Sequence, residues 1–278
     1  MRRSCGRRSR CVPQRFTAET RRPGAIGNAR WGGVRLADLL KRAGVKENAR
    51  HVWFEGLDAI PREGGTIPFG GSVPIEKAMS DAGSAPGALV ATTMNEQPLT
   101  SDHGFPVRTV VPGYIGARSV KWLGKIVVSD RPSPNHYLQR AYKLVTRDDP
   151  LEWAEAGPIY KFPLNAAICV PAAGTPLKPG TLQVAGYALP PGEAGVVIER
   201  VELSADAGGT WTTAKFKGAQ REFCWQLWSA DVPIDAATRR LTVRAIDSKG
   251  NVQPRHVPWN MKGYLFHAWH DVAIDVEG

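Results

Sequence analysis

Cysteine is scarce in this chain: four residues in 278, at positions 5, 11, 169 and 224, with no CxxC pair. Neither a disulfide framework nor a cysteine-rich metal site fits so thin a supply. Cys169 and Cys224 lie in the apolar runs AAICVPA and FCWQLW and are expected as small core residues. Long apolar runs are also missing. No stretch reaches 18 residues, so no membrane span is expected. The N-terminus is basic with no apolar segment behind it, which excludes a secretory signal peptide in the chain as it stands. The compartment stays open on these grounds: periplasmic if an export signal stands further upstream, cytoplasmic otherwise. Acidic residues are few as well, 26 against 36 Lys and Arg, for a net charge of +10. Eight Arg within residues 1–22, against Glu19 alone, supply +7 of that and leave +3 for the other 256 residues. The charge belongs to a tail, not to a surface. With no nucleic-acid motif or basic-aromatic face beside it, it argues against a nucleic-acid partner. Residues 1–22 read as an atypical basic segment, solvated and disordered.

What is plentiful is tryptophan, nine residues recurring in both halves, so each half is expected to carry its own aromatic-anchored core. From Trp31 the pattern sharpens. VRLADLLKRAG puts Leu36, Leu39 and Leu40 on one helical face, with Gly44 fitting a C-terminal cap. HVWFEG (51–56) reads as a strand that leads into a loop at Leu57–Asp58, and SVPIEKAMSD as a short helix begun by Ser72 or Pro74. ALVATTMN (88–95), FPVRTVVPG and SVKWLGKIVVS read as strands, with NEQPL as a turn. Residues 23–150 are thus a mixed α+β domain, ending in a polar, proline-rich linker from RPSPNHY to about residue 160. Beyond 165 the grammar is all-β. In ERVELSA, Val201 and Leu203 face one way while Glu202 and Ser204 face the other. Six or seven such strands over about 110 residues point to an immunoglobulin-like sandwich in the second domain, 151–278.

The segment SDHGFPVRTVVPGYIGARSVKWLGKIVV (101–128) concentrates His103, Arg108, Arg118 and Lys121 around Gly113 and Gly116. Glycines let a backbone approach a ligand closely, and clustered cations suit a phosphate or another oxyanion. In an arbitrary sequence the same residues read more readily as solvated strand ends.

The literal strings shift that weighting. DHGFPVR, VPG and GARSVKWL closely resemble the cofactor-binding core of the sulfite oxidase family, which includes the eukaryotic assimilatory nitrate reductases. The likeness continues through GAIGNARWGGVRLADLL (24–40), HVWFEGLD (51–58), SVPIEKAM (72–79) and MNEQPL (94–99). It reaches the second domain through LSADAGGTW (203–211), WQLW (225–228), NVQP (251–254) and WNMKGY (259–264). The resemblance implies a partial, α+β sulfite-oxidase-type molybdopterin domain followed by an all-β immunoglobulin-like dimerisation domain. It implies Mo-molybdopterin as cofactor, with Asp58, His103, Arg108 and the Ser119–Val120–Lys121 stretch holding the pterin and its phosphate. The backbone of 119–120 is expected to donate to that phosphate, with Lys121 as a point charge. Tyr142, in QRAYK, matches the family tyrosine beside the metal. Lys262, in WNMKGY, stands where animal members carry an Arg that meets the substrate. A Lys keeps the charge there and loses bidentate recognition.

Three departures accompany the match. The family ligates molybdenum through one Cys of a short motif upstream of ARW. Aligning RSCGRRS (3–9) with that motif puts Arg3 at the ligand position and leaves Cys5 two residues away. Arg21 stands where a pocket Trp is usual, and Arg8 aligns with the family's substrate-binding arginine. The family's cofactor domain also begins well before this Met1, so the chain is expected to be truncated at its N-terminus.

The implied activity is oxygen-atom transfer from a molybdenum centre that converts sulfite to sulfate. No haem motif is present, so two electrons are expected to leave to an external acceptor such as a cytochrome. A symmetric homodimer is expected through the sandwich. The alternatives are an inactive truncated homologue acting only as a dimerising scaffold, and a nitrate-reductase-like molybdoenzyme.

Overall fold

The computed structural model describes residues 26–80 and 87–278. The basic tail of residues 1–22, and with it Arg3, Cys5, Arg8, Cys11 and Arg21, lies outside the described residues.

In HVWFEG the alternation does what period two requires. Val52 and Phe54 are fully buried, while His51 and Trp53 are half-buried on the other face. This strand, His51–Gly56, is the centre of a three-stranded antiparallel sheet between Gly70–Pro74 and Leu123–Ser129. A second sheet is built on Leu89–Met94, which pairs with Trp31–Arg35, Arg108–Val110 and Gln97–Pro98. The helices Leu36–Ala43 and Ile75–Met79 close the core over Val52, Phe54, Val73 and Val120. Gly44 caps the first helix as expected, with φ +79° and its N–H on the Leu40 carbonyl at 3.1 Å. The buried face differs from the expected one. Leu36, Ala37 and Leu40 face inward, and Leu39 is exposed. The face centres on Leu40, so Leu39, about 100° from it around the helix, turns out to solvent.

The stretch after residue 130 is more than a linker. His136–Gln139 and Pro150–Glu155 are short helices, begun by Asn135 Oδ1 accepting from the Tyr137 N–H and Asp149 Oδ1 from the Leu151 N–H, each at 2.9 Å. Tyr137, Leu138, Val145 and Ile159 are buried. Single apolar residues between polar caps leave no periodic trace, which is why the sequence reads as a linker.

From residue 165 the strands form two four-stranded antiparallel sheets. One is ordered Asn165–Val170, Gly180–Leu189, Gln226–Ile234, Lys215–Lys217, and the other Thr212–Thr213, Ile198–Ser204, Arg240–Asp247, His270–Ala273. They pack face to face over a continuous apolar layer that includes Ile168, Val201, Leu203, Trp228, Leu241 and Val243. This is the expected sandwich. Glu202, between Val201 and Leu203, turns the other way to Arg200 at 3.0 Å and Arg244 at 2.6 Å. The cysteines differ from expectation. Pairing slips between Ile168 and Val170, turning Cys169 outward, and Cys224 is only half-buried beside the turn that precedes Gln226–Ile234.

The two units meet along a seam. Ile115 donates to the Tyr160 carbonyl at 2.7 Å, Asn28 and the Trp225 backbone exchange hydrogen bonds at 3.0 and 3.1 Å, and the Met261 N–H reaches the Val145 carbonyl at 2.8 Å.

Candidate cofactor site

The loop between Leu89–Met94 and Arg108–Val110 is folded back on residues 119–122. Its short helical turn Ser101–His103 ends at Gly104, φ +97°, and a Cβ there would stand 2.9 Å from Lys121 Cβ and 3.2 Å from Arg108 Cβ. Only glycine admits that approach. The closure is sewn from both sides. Lys121 Nζ donates to the Asp102 carbonyl, and Trp122 Nε1 to the Ser101 carbonyl at 2.9 Å. Arg108 spreads its fork over three carbonyls, those of Thr109 (3.2 Å), His103 (3.1 Å) and Ser119 (3.3 Å), and lies over the Trp31 ring at 4.9 Å. Burial pushes its guanidinium pKa down. Asp58 joins from the end of the His51–Gly56 strand. Its Oδ1 accepts from the Phe69 N–H at 3.0 Å, and Gly56 beside it lies against both that oxygen and the Lys121 carbonyl. Asp58, distant in sequence, therefore shares one neighbourhood with His103, Arg108, Ser119, Val120 and Lys121.

The amides of Ser119 and Val120 differ from expectation. The first donates to the Gly116 carbonyl at 3.0 Å and the second to Thr109 Oγ1 at 2.7 Å. Both are committed inward. These two residues shape the turn that carries Arg108's carbonyl partner and Lys121, and the Ser119 hydroxyl accepts from the Val111 N–H at 3.0 Å.

Tyr142 stands on the other flank of the same turn. It is half-buried with φ +51°, and its ring stacks on Tyr264 at 5.4 Å. Burial, with Tyr264 beside it, raises its pKa, and Arg118 opposes that. Tyr264 belongs to the turn that carries Lys262. Asn260 clasps Tyr264 through two hydrogen bonds of 2.8 Å, and Lys262, exposed, lies two residues before the ring that stacks on Tyr142. Arg118, which the sequence groups with the oxyanion-suited cations, is instead buried and spent on the Ile159 and Tyr137 carbonyls. It is 1% exposed, and its Nη2 has no hydrogen-bond partner. Nothing in the string GARS separates a buried arginine from a solvated one, so no sequence signal marked it.

The residues fit a phosphorylated pterin. Arg108 and Lys121 offer donors and positive charge of the kind a phosphate needs, His103 offers a ring N–H, and a carboxylate with one bond made can still accept from pterin N–H groups. Two cavities elsewhere do not contain this cluster. One of about 480 Å³ lies around Glu55, Pro68, Asn135 and Arg140, and one of about 310 Å³ around Arg240, Arg255 and Trp269. Among the described residues no group of three or more His, Cys, Asp and Glu is placed to bind a metal.

Comparison with known proteins supplies the deciding observation. Residues 2–137 match the oxidoreductase molybdopterin binding domain and residues 156–277 the Mo-co oxidoreductase dimerisation domain. Sulfite oxidase of Arabidopsis thaliana is 36% identical over 273 residues, covering 90% of this chain and 68% of the relative. The chain belongs to the sulfite oxidase family. Sulfite oxidase of Gallus gallus is 42% identical over 260 residues, covering 89% of this chain and 55% of the relative. The sulfane dehydrogenase SoxCD from Paracoccus pantotrophus shares the fold with a TM-score of 0.74 and 27% identity, over 90% of this chain and 63% of that one. The chain spans about half the length of several of the curated relatives it matches. Among the described residues no helix is long and apolar enough to cross a membrane.

Proposed function

We propose that this chain is a Mo-molybdopterin-dependent oxidoreductase of the sulfite oxidase type, which oxidises sulfite to sulfate and passes the electrons to an external acceptor such as a cytochrome. The observation that carries the reading is the gathering of Asp58, His103, Arg108 and Lys121 around Gly104, inside a domain of molybdopterin-binding type. The bound group would supply oxygen-atom transfer, and the protein's part is binding, orientation and electrostatics. Arg108 and Lys121 hold a phosphate by charge-assisted hydrogen bonds, while their ties to the 101–104 loop fix where those charges stand. Asp58 reads the pterin edge as an acceptor. Tyr142, kept neutral by burial, retains its proton on Oη and so presents a donor to an oxyanion rather than a competing negative charge. Lys262 adds a cation that attracts such an anion without the planar fork that would fix its orientation.

The sandwich, of dimerisation-domain type, is proposed to form a two-fold homodimer burying at least ~1,000 Å². Sedimentation of the purified chain checks this. For the activity, the chain is supplied with molybdenum cofactor and tested for sulfite-dependent dye reduction, with nitrate as the second arm. Molybdenum bound with sulfite turnover is the expected result. Cofactor bound with turnover of nitrate alone would replace the substrate, and a dimer that takes up no molybdenum would leave only the scaffold role.

A further inference from the structure

We propose that Arg118 is the positioning residue for Tyr142, holding its backbone through the Ile159 peptide and setting the electrostatics of its phenol from beneath the ring. The importance of Tyr142 rests on the function proposed above, but the coupling itself rests on geometry. Arg118 Nε donates to the Ile159 carbonyl at 2.9 Å, and the N–H of the same Ile159 donates to the Tyr142 carbonyl at 2.8 Å. A second arm, Nη1, donates to the Tyr137 carbonyl at 3.2 Å. One side chain thus ties the segments on both sides of Tyr142, whose left-handed backbone needs such support in a residue that is not glycine.

The choice of arginine is the telling point. A guanidinium buried to 1% exposure is costly, and among the described residues no carboxylate pairs with it. If only filling were needed, an apolar side chain would serve better. What surrounds the charge instead is aromatic: the ring of Tyr160 at 5.5 Å and that of Tyr142 at 5.8 Å. Gly71 leaves room for the fork, since a Cβ there would stand 3.3 Å from Nη1. The unpartnered Nη2 keeps part of the charge unneutralised. The groups facing Tyr142 are Tyr264 on the turn that carries Lys262, Tyr137 from the His136–Gln139 helix, and Arg118. Of these, the two tyrosines raise its pKa and Arg118 lowers it. A cation that near an ionising phenol stabilises its charged form, so Arg118 eases proton release from Oη while burial resists it.

The test uses the full chain labelled with 3-fluorotyrosine, the Tyr142 ¹⁹F resonance being assigned from Tyr142→Phe. Arg118→Met should raise the Tyr142 titration by at least about half a pH unit and spread its resonance over more than one conformer. Arg118→Lys should return the titration towards wild type, because the charge is kept, and leave the resonance spread, because one ammonium cannot bridge both carbonyls. Superimposable titrations in wild type and Arg118→Met would overturn the proposal. Should Arg118→Met fail to fold, the Arg118 guanidinium ¹⁵N resonance is followed in wild type and Tyr142→Phe. It should move with the Tyr142 titration in the first and stay still in the second, and stillness in both would equally overturn the coupling. Molybdenum content measured on the same samples separates the two ideas. A coupled titration without metal uptake fails the functional reading alone, and uptake with uncoupled titrations fails this one alone.

Discussion

The two units of the chain bury polar groups in different ways. In the sandwich, buried Gln253 donates to the Ala268 carbonyl and accepts from the Ala245 N–H, buried Thr242 donates to Asp271, and buried Asp247 gathers the amides of the turn at 249–251. Each finishes a turn or an edge that the apolar layer leaves open. In the first unit the buried set includes two cations, Arg118, held by carbonyls and aromatic faces, and Lys143, held by the Trp153 carbonyl, with no carboxylate partner among the described residues. Stability alone does not ask for that. The sandwich is organised to be a stable platform. The first unit carries electrostatic cost where an anionic cofactor and an oxyanion would be met.

Substitutions can break this contrast or sharpen it. Trp228, 2% exposed in the middle of the sandwich layer, should show the largest effect. Trp228→Ala is expected to cost about 3–5 kcal/mol, read from a chemical denaturation curve, with loss of the dimer. Thr109→Val comes next. It removes the acceptor of the buried Val120 N–H, so a loss of about 1–3 kcal/mol is expected. Unlike the sandwich change, it should also loosen cofactor retention, because the same turn carries Lys121. A smaller effect lies with pH. His270 accepts the Ile168 N–H on Nδ1 at 3.2 Å, and burial lowers its pKa. Below its unfolded value near 6.5 the unfolded chain therefore binds a proton that the folded one refuses. Stability should be full above that pH and fall as pH drops through it, by up to about 1.4 kcal/mol per unit. His270→Gln should flatten that part of the curve of denaturation midpoint against pH. Smallest is Glu96→Gln. Its partner Arg30 is 76% exposed and Glu96 71%, so no measurable change in midpoint is expected at physiological salt.

The contrast also explains what could be read in advance. Alternation in ERVELSA follows from burial on one face, and so Val201 and Leu203 were legible one by one, whereas Ser204, expected on the outer face with Glu202, is buried where the strand ends. The strings around His103, Arg108 and Lys121 gave the family and, through it, the residues proposed for the site. Four features left no trace. Leu39 and Ala37 exchange places because the face of a two-turn helix is set by what it packs on, not by its own pattern. The caps at Asn135 and Asp149 make helices too short for periodicity to show. The burial of Arg118 depends on Tyr160, Tyr137 and Ile159, which approach it only in the folded chain, so no window of sequence contains it. The direction of the Ser119 and Val120 amides is likewise a matter of the turn at Gly116 and of Thr109 across the sheet.

The claim on which the rest depends is that Arg108 and Lys121, locked against Gly104, grip a phosphorylated pterin. The most direct measurement is the pterin released from purified chain by denaturation, quantified by fluorescence in wild type and in Arg108→Ala. Wild type should carry pterin, and the variant should retain it roughly tenfold to a hundredfold more weakly, the loss of a charge-assisted contact worth about 1.5–3 kcal/mol. Equal pterin in both, or none in wild type after supply of the cofactor, would contradict the account.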